Sequence, residues 1–187
     1  METVNAQQKI HPHKFTLWIA IGSLLMMFAG LTSAFIVKSN QVNWKPVALP
    51  SIFWVSTVAI VLSSLTIYLA NRAIKTQQIA NYRIMLMATM VLGALFIFLQ
   101  WKGFQELWAQ QITFRGAGAG QFLYVIFGLH VLHVLGGIVA LKIIWIRSFF
   151  NKHKFNSVPV DVASTYWHFV DLLWIYLLVF FLVIGGN

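Results

Sequence analysis

Five long apolar runs, separated by short polar stretches, dominate the pattern of hydrophobic and polar positions. The first run, residues 15–37, contains no charged residue and is long enough to cross about 30 Å of hydrocarbon as a helix. We therefore predict an all-α, polytopic membrane protein with a single bundle of five transmembrane helices over residues 15–187, preceded by a short flexible tail, 1–14. The predicted spans are 15–37, 51–70, 82–101, 121–146 and 162–184.

The composition supports this class. Hydrophobic residues make up 59% of the 187 residues and charged residues 9%, whereas an average soluble domain is about 25% charged. There is no cysteine, which excludes disulfides and any metal site built on thiolates. The net charge of +9 does not indicate a nucleic-acid partner, because the basic residues are scattered between the apolar runs.

The basic residues predict the orientation. With a cytoplasmic N-terminus, the inside segments hold nine of them and the outside segments four; the nine are Lys9, Lys14, Arg72, Lys75, Arg83, Lys142, Arg147, Lys152 and Lys154. The positive-inside rule therefore predicts that the N-terminus is cytoplasmic and the C-terminus outside. The first run is longer than the apolar region of a signal peptide, about 7–15 residues, so we expect no cleavage.

Four ionisable residues lie inside the last two spans: His130, His133, His168 and Asp171. His130 and His133 are three residues apart, as are His168 and Asp171, so the two members of each pair share a helix face. Counted from the starts of their antiparallel spans, His130 and Asp171 both lie about 14 Å deep, near the midplane. If the two helices are neighbours, we expect one buried polar cluster in which Asp171 hydrogen-bonds or ion-pairs with a histidine of the fourth span or with His168.

Intramembrane ionisable residues usually face a partner or a cavity, and several functions would explain this cluster. Histidines on two helices can ligate haem. A metal site is another reading, although the Glu-x-x-His pairs of carboxylate-bridged di-iron bundles are missing. A proton or ion pathway also uses such residues. The fourth reading is purely structural, and the residue chemistry alone leaves all four open.

The fifth span reads Tyr166-Trp167-His168-Phe169-Val170-Asp171-Leu172-Leu173-Trp174. It resembles the last helix of subunit III of haem–copper respiratory oxidases, which carries a Trp-His-Phe-Val-Asp stretch followed by hydrophobic residues and a tryptophan. The fourth span resembles the family's His-Gly-Leu-His-Val motif, with Val131 in place of the glycine and Gly137 farther along. The third span, with Leu92-Gly93, Phe96 and Gln100, resembles the family's Leu-Gly…Phe…Gln pattern.

The chain departs from the long form of this family in three ways. It has five spans rather than seven, which matches the short bacterial form. Ser23 is followed by Leu24 where the family usually carries an acid, so a proton-antenna role for that acid does not transfer. Gly103 stands where another acid is expected a few residues after Gln100.

The resemblance implies a bacterial cytoplasmic-membrane complex that reduces oxygen to water, pumps protons and serves aerobic respiratory electron transport from cytochrome c or quinol. Within it, subunit III is expected to have no catalytic, cofactor or metal residues, and to stabilise the catalytic subunit I and support proton uptake. Haem and copper are expected in the partners, which include subunit II. A bound phospholipid is compatible with this role. The alternatives are a small cytochrome-b-like protein with haem ligated by His130, His133 or His168, and a small transporter.

Overall fold

A computed structural model describes residues 12–39, 49–110, 112, 119–150 and 158–184. Within these ranges the chain forms five helices: α1 Pro12–Ser39, α2 Ile52–Lys75, α3 Ile79–Ala109, α4 Ala119–Phe150 and α5 Val158–Val183. All five are long and apolar enough to cross a membrane, which confirms the predicted all-α fold. Residues 1–11 of the predicted tail lie outside the described residues, whereas residues 12–14 belong to α1.

The helices extend beyond the apolar runs that predicted them. α3 has 31 residues and α4 has 32, so each is about 46–48 Å long and exceeds the hydrocarbon thickness of about 30 Å. The stretch 71–81, which separates the second and third predicted spans, is helical except for residues 76–78. Only residues 76–78 separate α2 from α3, and the turn uses Gln77 with a φ of 60°.

Helices α2, α3, α4 and α5 form a ring, and α1 lies outside it. Around the ring α2 contacts α3, α3 contacts α4, α4 contacts α5, and α5 returns to α2; α1 packs against α4 and α5 from outside. α5 is the most buried span and α1 the least buried. Because lipid removes the hydrophobic force between helices, their association depends on close packing and on hydrogen bonds between them.

One end of the bundle is fastened by polar side chains. Lys75, at the end of α2, forms a salt bridge of 3.2 Å with Asp161 in the first turn of α5. Arg83, near the start of α3, donates from Nε to the Ser148 hydroxyl near the end of α4 at 3.2 Å, and its guanidinium stacks over Phe149. These contacts fix which ends of the four ring helices lie together.

Candidate functional site

α2 presents a row of hydroxyl groups to its neighbours. The members, which we call the hydroxyl row, are Ser56, Thr57, Ser63, Ser64 and Thr66. Ser56 and Ser63 are seven residues apart, as are Thr57 and Ser64, so each pair returns to the same helix face after two turns; Thr66 follows two residues after Ser64. Four of the five donate to a carbonyl of their own helix, three or four residues back, at 2.7–2.8 Å. Their hydroxyl protons are therefore used, and their oxygens remain as acceptors.

Side chains from α3 and α5 donate to these oxygens. The indole Nε1 of Trp167 donates to Ser63 at 2.9 Å, and that of Trp174 donates to Thr57 at 2.9 Å. The amide of Gln100 donates to Ser56 at 3.0 Å inside the protein. Trp167 and Trp174 are two turns apart on α5 and meet acceptors nearly two turns apart on the antiparallel α2. These bonds define the register between the helices.

Trp167 fits between two glycines. A Cβ added to Gly93 of α3 would lie 2.9 Å from Cη2 of the indole, and one added to Gly137 of α4 would lie 3.0 Å from Cζ3. Both distances are shorter than ordinary carbon–carbon contact, about 3.5–4.0 Å. The glycines therefore form a slot for the ring, and Trp167 is only 2% exposed. We call this arrangement the indole slot.

Trp174 is the centre of an aromatic group one layer away. Its ring lies 4.9 Å from Phe127, 5.0 Å from Phe96 and 5.3 Å from His130, measured between centroids. His130 is fully buried, and neither of its ring nitrogens has a hydrogen-bond partner within the described residues. Its imidazole therefore serves here as one more ring in aromatic packing.

His133 points elsewhere. Its Nδ1 lies 2.6 Å from the Leu129 carbonyl of its own helix, and its ring packs edge-on against Phe28 of α1 at 6.0 Å. The Tyr166 hydroxyl donates to the His133 carbonyl at 3.1 Å. Three residues of helix rotate a side chain by about 60° from alignment. That rotation directs His130 towards α3 and α5, and His133 towards α1.

His168 and Asp171 face α2. Nδ1 of the half-buried His168 lies 2.6 Å from the Ser64 hydroxyl. Asp171 is 4% exposed; Ser64 is within interaction range of its carboxyl, but neither carboxyl oxygen makes a hydrogen bond of standard geometry in the described part of the chain.

The expected hydrogen bond between Asp171 and a histidine is therefore absent among the described residues, and that expectation was wrong. His130 and Asp171 are both buried, whereas His133 and His168 are half-buried. Counting residues from the helix starts gives depth and no information about direction around the axis. Whether these four residues act together remains a prediction. No group of three or more His, Asp or Glu among the described residues is arranged to hold a metal ion.

A cleft of about 550 Å³ opens between α1, α4 and α5. Its lining is mostly apolar, including Leu17, Gly136 and Ala140, and it also contains Arg147. The sequence did not indicate this cleft. It also did not lead us to the hydroxyl row, although paired hydroxyl residues at 56/57 and 63/64, seven apart in a predicted span, were a visible signal.

The chain matches known proteins over nearly its whole length. The family model described as cytochrome c oxidase subunit III matches residues 10–186. A probable cytochrome c oxidase subunit 3 of Nocardia farcinica is 28% identical over 185 residues, covering 90% of this chain and 89% of the relative. The cytochrome c oxidase subunit 3 of Bacillus sp. strain PS3 is 26% identical over 166 residues, covering 86% and 80%. The subunit of Corynebacterium diphtheriae is 30% identical over 166 residues, covering 81% and 78%.

These matches do not favour the cytochrome-b-like or transporter alternatives. They include the helices whose motif residues Trp167, Gly137 and Gln100 meet in the indole slot and the hydroxyl row. The chain belongs to the cytochrome c oxidase subunit III family, and it is a multi-pass membrane subunit of an oxidase complex.

Proposed function

We propose that this chain is the non-redox subunit III of a bacterial haem–copper terminal oxidase, where it stabilises the catalytic subunit and supports proton uptake. The observation that carries the proposal is that buried polar side chains form hydrogen bonds between helices of this chain. Trp167, Trp174 and Gln100 all donate to α2 rather than to a shared cavity. Such an arrangement is suited to a rigid scaffold, since every one of these bonds joins two helices of the chain itself.

The proposed partners are the catalytic subunit I and subunit II, which would hold the haem and copper of oxygen reduction. The imidazole of His130 supports this division, because it is enclosed by the rings of Phe96 and Trp174. The complex would lie in the bacterial cytoplasmic membrane and take part in aerobic electron transport coupled to proton pumping. Oxygen chemistry would take place in the partners, and this chain would carry no catalytic residue.

The distribution of charge in the bundle supports a cytoplasmic N-terminus. The end that contains the start of α1 also contains the Lys75–Asp161 salt bridge, Arg83 and Arg147. The opposite end has Lys38 and Lys102 as its described basic residues. Basic residues accumulate on the cytoplasmic side of membrane proteins, so this end is proposed to face the cytoplasm.

The buried cluster residues are proposed to serve assembly. Asp171 lies beside the bond between Ser64 and His168, at the contact of α2 and α5. An ionised carboxylate at the centre of a membrane costs about 3 kcal/mol on insertion scales, so a neighbour that offers it a hydrogen bond in the assembled oxidase would be favoured. The cleft between α1, α4 and α5 is proposed to hold a phospholipid, with apolar walls for an acyl chain and Arg147 for the phosphate.

Purification of the native complex through a tag on this chain tests the proposal. We expect subunits I and II in the mass spectrum, and haem bands in the reduced-minus-oxidised absorption spectrum of the complex. The chain separated from its partners should give no such bands. A stoichiometric haem band in the separated chain would contradict the non-redox role, and absence of a catalytic subunit from the purified material would contradict the partnership.

A further inference from the structure

An open groove runs along the outside of α5. α1 and α2 each contact α5, and these two helices do not contact one another in the described part of the chain. α5 therefore forms a floor between two walls. The outward strip of that floor, which we call the α5 groove, comprises the half-buried His168 and the exposed Thr165, Leu172, Ile175 and Val179. Leu172, with 66% of its side chain exposed, lies at its centre.

The position of Leu172 follows from its neighbours. One turn before it, His168 turns towards α2, where it bonds to Ser64. One turn after it, Tyr176 turns towards α1, where its hydroxyl lies 3.1 Å from that of Thr32. Leu172 lies between these two directions on the helix surface, so its side chain points out of the groove.

His168 makes the floor of this groove polar near the middle of the membrane. Its Nδ1 is bonded inward to Ser64, and its second ring nitrogen, Nε2, makes no hydrogen bond to any of the described residues. The residue is half-buried and lies near the middle of a 26-residue helix. A polar group directed at hydrocarbon is costly, whereas a polar group on a facing helix removes that cost.

The groove is polar again at one end. A cavity of about 340 Å³ lies there between α1, α2 and α5, lined by Lys14, Asn71, Lys75, Asp161 and other residues. The side-chain oxygen of Asn71 is buried and has no hydrogen-bond partner within the described residues. A lipid in the groove would place its polar headgroup at this end, and its acyl chain would lie against His168. A helix lying along the groove would reach both this end and His168.

We propose that the α5 groove is the surface on which a transmembrane helix of a neighbouring oxidase subunit docks, with a hydroxyl side chain bonded to Nε2 of His168. A hydroxyl both donates and accepts, so it fits either tautomer of a histidine whose Nδ1 faces the Ser64 hydroxyl. An acyl chain would leave Nε2 unpaired. The proposal rests on the proposed function of this chain as an oxidase subunit, and it adds the face and the contact.

Photo-crosslinking in the native complex tests the face. A photoreactive phenylalanine analogue replaces Leu172 in one variant and Leu132, a 59% exposed leucine of α4, in the matched control. We expect a crosslink to a partner subunit from position 172 and no such crosslink from position 132. A phospholipid adduct at 172, or a protein crosslink from 132 alone, would overturn the groove while leaving the subunit role intact. Failure of any catalytic subunit to co-purify would overturn both.

Retention of the subunit in detergent tests the contact. His168→Leu should weaken retention about threefold, the loss that corresponds to about 0.6 kcal/mol for an interhelical hydrogen bond in a membrane. His168→Gln keeps a hydrogen-bonding side chain and should retain most of the binding. Ser64→Ala removes the inner bond and leaves Nε2 in place, so it should bind like the wild type. Equal losses in Ser64→Ala and His168→Leu would show that only the internal bond matters and would refute the proposed contact.

Discussion

The indole slot allows a test on two adjacent residues. Gly136 and Gly137 are neighbours on α4, yet a Cβ at Gly136 would meet nothing within 4 Å, whereas one at Gly137 would lie 3.0 Å from Cζ3 and 3.1 Å from Cε3 of Trp167. We predict that Gly137→Ala destabilises the subunit and that Gly136→Ala does not. The substitutions add the same methyl group to the same helix, so only its surroundings differ.

The size of the effect follows from how firmly the indole is held. Trp167 has little room to retreat towards α3, because its opposite edge lies 2.9 Å from where a Gly93 Cβ would be and so already packs close to the Gly93 backbone, and its Nε1 is bonded to Ser63. Adding a methyl group to such a packed site costs about 1–3 kcal/mol. Replacing glycine by alanine in a helix gains about 1 kcal/mol, but this gain is common to both variants. The difference between them should therefore be about 1–3 kcal/mol.

The assay is unfolding of the purified subunit in detergent, followed by the near-ultraviolet circular dichroism of its tryptophans. Gly137→Ala should have a lower midpoint than Gly136→Ala. A second change supplies the control: Trp167→Phe removes the part of the ring that the new methyl group would meet, so it should reduce the penalty of Gly137→Ala. Equal midpoints for the two alanine variants, or no rescue by phenylalanine, would refute the slot.

Two further predictions concern topology and Asp171. A reporter active only outside the cytoplasm should be active when fused after Asn187 and inactive when fused after Lys75, and the reverse pattern would invert the proposed orientation. Asp171→Asn keeps the shape and hydrogen-bonding capacity of the side chain, so both assembly and proton pumping should persist. Asp171→Leu should release the subunit from the complex, because the neighbour that we propose as its hydrogen-bond donor in the assembled oxidase would lose its acceptor, at about 1–3 kcal/mol. Loss of pumping by the asparagine variant in a fully assembled oxidase would instead assign proton transfer to Asp171.

The sequence predicted the helices well because the thickness of a bilayer determines how long an apolar run must be. The predicted spans stop short of the helix ends: α3 continues to Ala109, whereas the span predicted from the apolar run ends at residue 101, because Lys102 and Glu106 interrupt the run there. The sequence also gave the depth of His130 and Asp171 without their direction. Direction depends on which helices are neighbours: His130 packs against Phe96 of α3, whereas Asp171 lies beside Ser64 of α2. Those pairings arise from contacts between distant segments.

The motif residues could be identified from the sequence, but the reason for their residue types could not. Resemblance selected Trp167, Gly137 and Gln100, but only the fold shows why these residue types occur together. The glycine is small because the indole occupies its side-chain space. The glutamine is buried because Ser56 accepts its amide. Ser56 and Ser63 were overlooked because serine is common and has no motif of its own, so their importance appears only beside the donors that reach them.

The hydroxyl row has a consequence for how the chain is made. α2 is synthesised before α5, and helices enter the bilayer before they associate. Four hydroxyl groups of α2 already donate to carbonyls of the same helix. These four donors are therefore satisfied while α2 lies in the lipid before α5 packs against it. The indoles of α5 have no such provision and need Ser63 and Thr57 to be in place when they arrive. The order of synthesis therefore suits the hydrogen bonding: these α2 hydroxyl donors are satisfied before packing, and the α5 indole donors are satisfied when α5 packs against α2.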